Sequence, residues 1–124
     1  MKIVVIIARV LLGLVFVVFG SNIFLHFIPQ PPLPAGPFKD FAMALFVTHY
    51  MYVVGAFQVV GGLFCLIGRY VPLGLMLLGP VIVNIDLFHA LMAPEGLPIA
   101  AVVSVLALVV LYGYRSAFAG LVKP

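Results

Sequence analysis

Four stretches of the chain, residues 10–38, 41–68, 70–85 and 96–114, contain no Asp, Glu, Lys or Arg. A soluble domain covers its core with polar side chains and carries about 25% charged residues. This chain has 7% charged and 66% hydrophobic residues, and its mean hydropathy is +1.38. Crossing a bilayer core takes about 20 predominantly apolar residues per helix, so four spans use most of the 124 residues. The expected protein is all-α: an integral membrane four-helix bundle, forming one transmembrane domain over 1–124 whose first partner is the lipid bilayer. No separate catalytic or nucleotide-binding domain fits beside four spans. No Gly-rich phosphate loop precedes a Lys-Ser/Thr pair, and no basic run points to nucleic acid. The single Cys65 excludes an internal disulfide or dithiol and reads as a small packing residue.

The span boundaries follow from proline and glycine. The first apolar run covers about 3–27; Lys2 and Arg9 resemble the start of a signal peptide, but no small-x-small cleavage site follows, so it reads as a retained helix. Five prolines between Pro29 and Pro37 then exclude a helix and predict a stiff extended loop. Helical pattern resumes at Phe38 and runs to Gly68, too long for one perpendicular span at about 1.5 Å per residue. The expectation is a short interfacial or re-entrant helix around 38–48, within an external segment 28–49, and a second span over 50–68. One long tilted helix is the alternative. Gly68-Arg69-Tyr70 and Ala93-Pro94-Glu95-Gly96 make tight turns that bound a third span over 72–92, bent at Gly79-Pro80, and a fourth over 97–116. Turns this short make sequential spans antiparallel neighbours.

Lys2, Arg9, Arg69, Arg115 and Lys123 fall on one side of such a bundle and Lys39 on the other, with Asp40 and Glu95 beside it. The positive-inside rule then places both termini in the cytoplasm. Tyr50, Tyr52, Tyr70, Tyr112 and Tyr114 lie near span ends, as an interfacial belt should.

An ionisable side chain inside an apolar run is expensive enough to be a functional candidate. Asp86 and His89 share one face of the third span, and Asn22 and His26 one face of the first. His49 begins the second at similar depth. These five residues form the candidate ligand-binding set near the outer leaflet. Imidazole beside carboxylate exchanges protons near neutral pH, as a hydroquinone or similar lipophile requires. The same groups coordinate transition metals, but Asp86/His89 is the one close pair, and no metal is expected. The histidines can equally hydrogen-bond at the water interface. Arg9 and Gln58 are candidate polar positions of the bundle interior, Arg9 alternatively a snorkelling anchor. Gly55, Gln58 and Gly62 share a face that admits close helix approach, and Arg9, Gly13, Phe16 and Gly20 make a comparable one. Asn84 and Ser104 are neutral companions within the runs.

Three segments, ARVLLGLVFVVFG (8–20), FQVVGGLFCLIGRYVPLGL (57–75) and NIDLFHALMAPEGLPIAAV (84–102), together resemble the DoxX-like family of small four-helix membrane proteins. The resemblance implies a bacterial inner-membrane bundle. It also implies a link to redox chemistry, since the family is named for a subunit of a thiosulfate:quinone oxidoreductase and other members associate with oxidative-stress complexes. Relatives commonly carry Glu before the Gly-Gly of the second span, where this chain has Gln58 before Gly61-Gly62. An amide cannot move a proton, so no proton-coupled role is carried over to that position.

Two functions follow as expectations. In the first, a redox-associated subunit, accessory rather than a complete enzyme, binds a quinone or similar lipophile near the outer leaflet. In the second, a non-enzymatic scaffold or assembly factor packs its Gly-rich faces against a larger membrane partner or another copy. Transport is a third, with neither a repeated broken helix nor a charge-lined face in its favour.

Overall fold

A computed structural model describes residues 2–28, 33 and 35–123. Six helices follow in order: α1 (Lys2–Leu25), α2 (Pro37–Val47), α3 (Tyr50–Ile67), α4 (Val71–Leu91), α5 (Leu97–Gly113) and the short α6 (Arg115–Phe118). No strand occurs among the described residues. Four segments are long and apolar enough to cross a membrane: α1, α3, α4, and α5 together with the 3-10 turn Pro94–Gly96 that leads into it. The extended loop expected from the proline run falls mainly on residues 29–32 and 34, outside those described.

The four long helices form a ring in which α1 packs on α3, α3 on α4, α4 on α5, and α5 back on α1. Every neighbouring pair is antiparallel. One end of the ring carries Lys2, the Gly68–Tyr70 turn and Tyr114 (the terminal end). The other carries the α1–α2 connection, α2 and the Ala93–Gly96 turn (the loop end).

Phe38 and Phe41 of α2 pack against Phe88 of α4, with ring centroids 4.7 and 5.7 Å apart. The segment 38–67 is not one long helix. It breaks at Thr48–His49, where His49 adopts the left-handed conformation at φ 62°. The α3–α4 turn uses the same device twice, at Gly68 (φ 84°) and Tyr70 (φ 58°), and Pro72 enters the first turn of α4 where no helical N–H is required. Helix α4 runs through Pro80 without interruption, and the Asn84 amide donates to the Pro80 carbonyl at 2.7 Å.

The core is apolar and lies between all four long helices: Leu12 and Phe16 from α1, Cys65 from α3, Leu75, Leu78 and Val81 from α4, Val103 and Val110 from α5. The glycine faces point inward and meet each other. A Cβ on Gly13 would lie 2.6 Å from the Leu66 backbone nitrogen and 2.7 Å from the Gly62 carbonyl oxygen. A Cβ on Gly61 would lie 3.0 Å from the Gly74 carbonyl oxygen, and the reverse distance, from Gly74 to Gly61, is 2.9 Å. The backbones of α1, α3 and α4 therefore approach as closely as only glycine permits, the packing that holds helices together where lipid offers no hydrophobic force between them.

Gly13→Ala is expected to lower stability by about 1–3 kcal/mol, because the obstructing atoms are backbone and the helices must separate. Gly79 has open space around its Cβ position, so Gly79→Ala should be neutral or gain up to about 1 kcal/mol from helix propensity. Thermal unfolding of both variants in one detergent checks the contrast. Equal losses would show that close approach is not what Gly13 provides.

Candidate functional site

Within the third span, Asp86 lies about 7–8 Å along the helix from the end of α4, taking about 1.5 Å per residue. Its half-buried side chain turns toward α5, where the Ser104 hydroxyl donates to it at 2.7 Å from Oδ2 and 3.0 Å from Oδ1. A hydroxyl has one proton, so the two carboxylate oxygens share a single donor. Ser104 is the only side chain bonded to Asp86 among the described residues. The carboxylate is thus oriented by α5 and keeps most of its acceptor capacity.

His89, one turn further along α4, bonds elsewhere. Its Nδ1 lies 3.2 Å from the Ala93 carbonyl oxygen, and its ring packs directly on Gly96, where any Cβ would collide with the imidazole. A carbonyl only accepts, so this contact places a proton on Nδ1 and leaves Nε2 as the ring nitrogen free of it. Asp86 and His89 share a helix face, yet each is held by a different part of the α4–α5 hairpin.

The remaining candidates belong to the α1–α3 side. Asn22 is buried, and its Oδ1 accepts the Ile28 N–H at 2.8 Å while its carbonyl accepts the His26 N–H at 2.8 Å, so this residue closes the end of α1. His26 follows in the left-handed region at φ 52° and is exposed. His49 stacks on Tyr52, and Tyr52 on Phe24, each pair with centroids 5.4 Å apart and rings 14° from parallel. This aromatic column ties the start of α3 to α1. The five candidates therefore separate into Asp86 and His89 on one hairpin and Asn22, His26 and His49 on the other, with no hydrogen bond joining the two groups among the described residues. No three His, Cys, Asp or Glu side chains gather into a set that could hold a metal among the described residues.

Gln58 is 6% exposed and faces α1, with its Cβ 2.9 Å from where a Gly20 Cβ would lie. Arg9 sits at the terminal end, its guanidinium packed directly on Gly68, and its Nε is buried without a hydrogen-bond partner. Sequence reasoning treated Ser104 as a neutral companion and missed that it holds Asp86. The signal was available: Asp86 and Ser104 are equally far from Glu95, so folding α4 on α5 about the Ala93–Gly96 turn brings them to one level.

Compared with protein-family models, with curated proteins and with solved structures, the chain matches none.

Ser104→Ala removes the one donor to a carboxylate inside a span and is expected to cost about 1–3 kcal/mol. Asp86→Asn in the Ser104→Ala background should then cost less than in the wild type. Thermal unfolding of the two single variants and the double variant measures this coupling, and simple additivity would show that the pair does not interact.

Proposed function

We propose that this chain is an accessory subunit of a redox complex, of the DoxX-like kind, that binds a quinone or similar lipophile near the outer leaflet of a bacterial inner membrane. Both termini lie in the cytoplasm, and α2 rests along the outer membrane surface. The observation that carries this reading is Asp86, a carboxylate within a membrane span answered, among the described residues, by one hydroxyl and by no cation. Burying a carboxylate so poorly compensated costs stability, and polar groups kept at such a cost mark ligand or proton sites.

The phenolic hydroxyl of a hydroquinone supplies the donor that Asp86 lacks, and His89 Nε2 offers a second acceptor one turn away. Asn22, His26 and His49 serve this site less directly, since Asn22 closes α1 and His49 is stacked on Tyr52. The competing scaffold reading relied on glycine faces to receive a larger partner. Those faces are occupied within the bundle, which favours the ligand reading.

Protein purified in mild detergent should retain extractable quinone, measured by mass spectrometry, and Asp86→Asn should retain several-fold less. Equal amounts in wild type, variant and an unrelated membrane protein would remove the reading, whereas recovery of a defined protein partner with no effect of Asp86→Asn would restore the scaffold. For the orientation, Lys39→Cys and Glu95→Cys should react with a membrane-impermeant maleimide in intact cells. Lys123→Cys should react only after permeabilisation, and the reverse pattern would invert the topology.

A further inference from the structure

The terminal end of the ring holds a cavity of about 520 Å³ between the first turns of α1 and the end of α5. Lys2, Arg9 and Arg115 line it together with Val5, Ile6 and Tyr112. Three cations face one space, while the three Asp and Glu side chains, Asp40, Asp86 and Glu95, belong to α2, the far part of α4 and the α4–α5 turn at the other end. Like charges gathered without a counter-charge repel one another unless an anion sits between them.

Two of these cations are differently placed. Arg115 lies over the Tyr112 ring, 4.2 Å from its centroid, and donates one bond to the Tyr112 carbonyl at 2.7 Å, which fixes it to the end of α5. Arg9 has no such anchor. Its Nε is a buried donor with no partner among the described residues, and its guanidinium lies directly on Gly68, where a Cβ would displace it. Buried donors are almost always satisfied, so an Arg that lines a cationic cavity and keeps a guanidinium nitrogen unpartnered among the described residues is suited to receive an external acceptor. Arg is the side chain whose planar fork suits a phosphate.

We infer that this cavity binds a phosphate group, and that the phosphate is the headgroup of an anionic phospholipid. A lipid suits the site better than a free solute because Val5 and Ile6 share its lining with the cations, and Ile3 and Ile7 of α1 and Leu108 and Leu111 of α5 are exposed on the same two helices, apolar surface that acyl chains would cover. Basic pockets between membrane helices at the cytoplasmic surface are a recurring form of lipid recognition.

The test uses the full chain reconstituted into bilayer discs of phosphatidylcholine with a minor fraction of phosphatidylglycerol. Lipid retained on the protein after transfer to detergent is counted by native mass spectrometry. Phosphatidylglycerol should be enriched over its share of the bilayer, and Arg9→Gln should lower that enrichment roughly fivefold. Lys2→Gln, at an exposed helix end where folding is not at risk, should lower it in the same direction, while Lys123→Gln, a tail cation outside the cavity, should leave it unchanged. Inorganic phosphate is added in a parallel arm. Lipid retained in its presence supports the headgroup as the source. Displacement of the lipid by phosphate, with the same dependence on Arg9, would assign the site to a free anion and overturn the lipid. Retention at the bilayer ratio, or equal losses in Lys123→Gln and Arg9→Gln, would overturn the site altogether.

Discussion

The contact on which the rest of the arrangement depends is the backbone approach of α1 to α3 at Gly13 and Gly62. With a Gly13 Cβ position 2.6 Å from the Leu66 nitrogen, this contact permits one register and one separation. Both ends of the pair follow from it. Toward the terminal end, the same register lays Arg9 on Gly68. Toward the loop end, it sets Gly20 against Gln58 and brings Phe24 over Tyr52, which carries His49. A hydrophobic stripe could slide by a turn in lipid, because every neighbouring surface is equally apolar. Glycine against backbone cannot slide without a collision.

That register separates the charges of the chain by sign. The carboxylates belong to the loop end, and the cations, Lys39 excepted, to the terminal end. Inside a bilayer the natural answer to a buried charge is an opposite charge, yet among the described residues neither Asp86 nor Arg9 is bonded to one. Asp86 accepts from Ser104, and Arg9 keeps a buried donor with no acceptor among those residues. The two ends thus differ in chemistry: an acceptor-rich carboxylate at the loop end and a group of cations at the terminal end.

The charge-free runs made the four long helices legible, since 7% charged residues leave no other way to solvate the chain. Gly68 and the Ala93–Gly96 turn marked where α3 and α4 stop because glycine, proline and chain reversal coincide there. The break between α2 and α3, expected between 48 and 50 on length alone, falls there; that His49 enters the left-handed region to make it leaves no signal in composition. The inward direction of the glycine faces was also hidden, because a face packed inside the bundle and one offered to a partner have the same spacing. Of the candidate site, the Asp86–Ser104 pair was recoverable from symmetry about a single turn. The meeting of Lys2, Arg9 and Arg115 was not, since it needs α5 to close the ring against α1, a contact between opposite ends of the sequence.

The interior between the two ends bears on which kinds of function the fold can serve. From Arg9 to Asp86 the ring is filled by Leu12, Phe16, Cys65, Leu78, Val81 and Val103, all 8% exposed or less, and the buried polar side chains are Asn22 and Gln58. Asn22 spends its oxygen on the end of α1, and Gln58 stands alone among glycine and aliphatic contacts. A chain of polar groups is what a proton or solute would need to cross, and one amide in the middle of an apolar core does not form it. The interior of a single copy therefore offers no continuous polar path among the described residues, and the polar groups open to a ligand lie at the two ends. Any influence of one end on the other must pass through movement of the helices themselves. Close glycine contacts join α1, α3 and α4, and Gly113 against Val5 joins α5 to α1, so a displacement of α5, which carries Ser104 and leads directly into Arg115 of α6, would touch both ends.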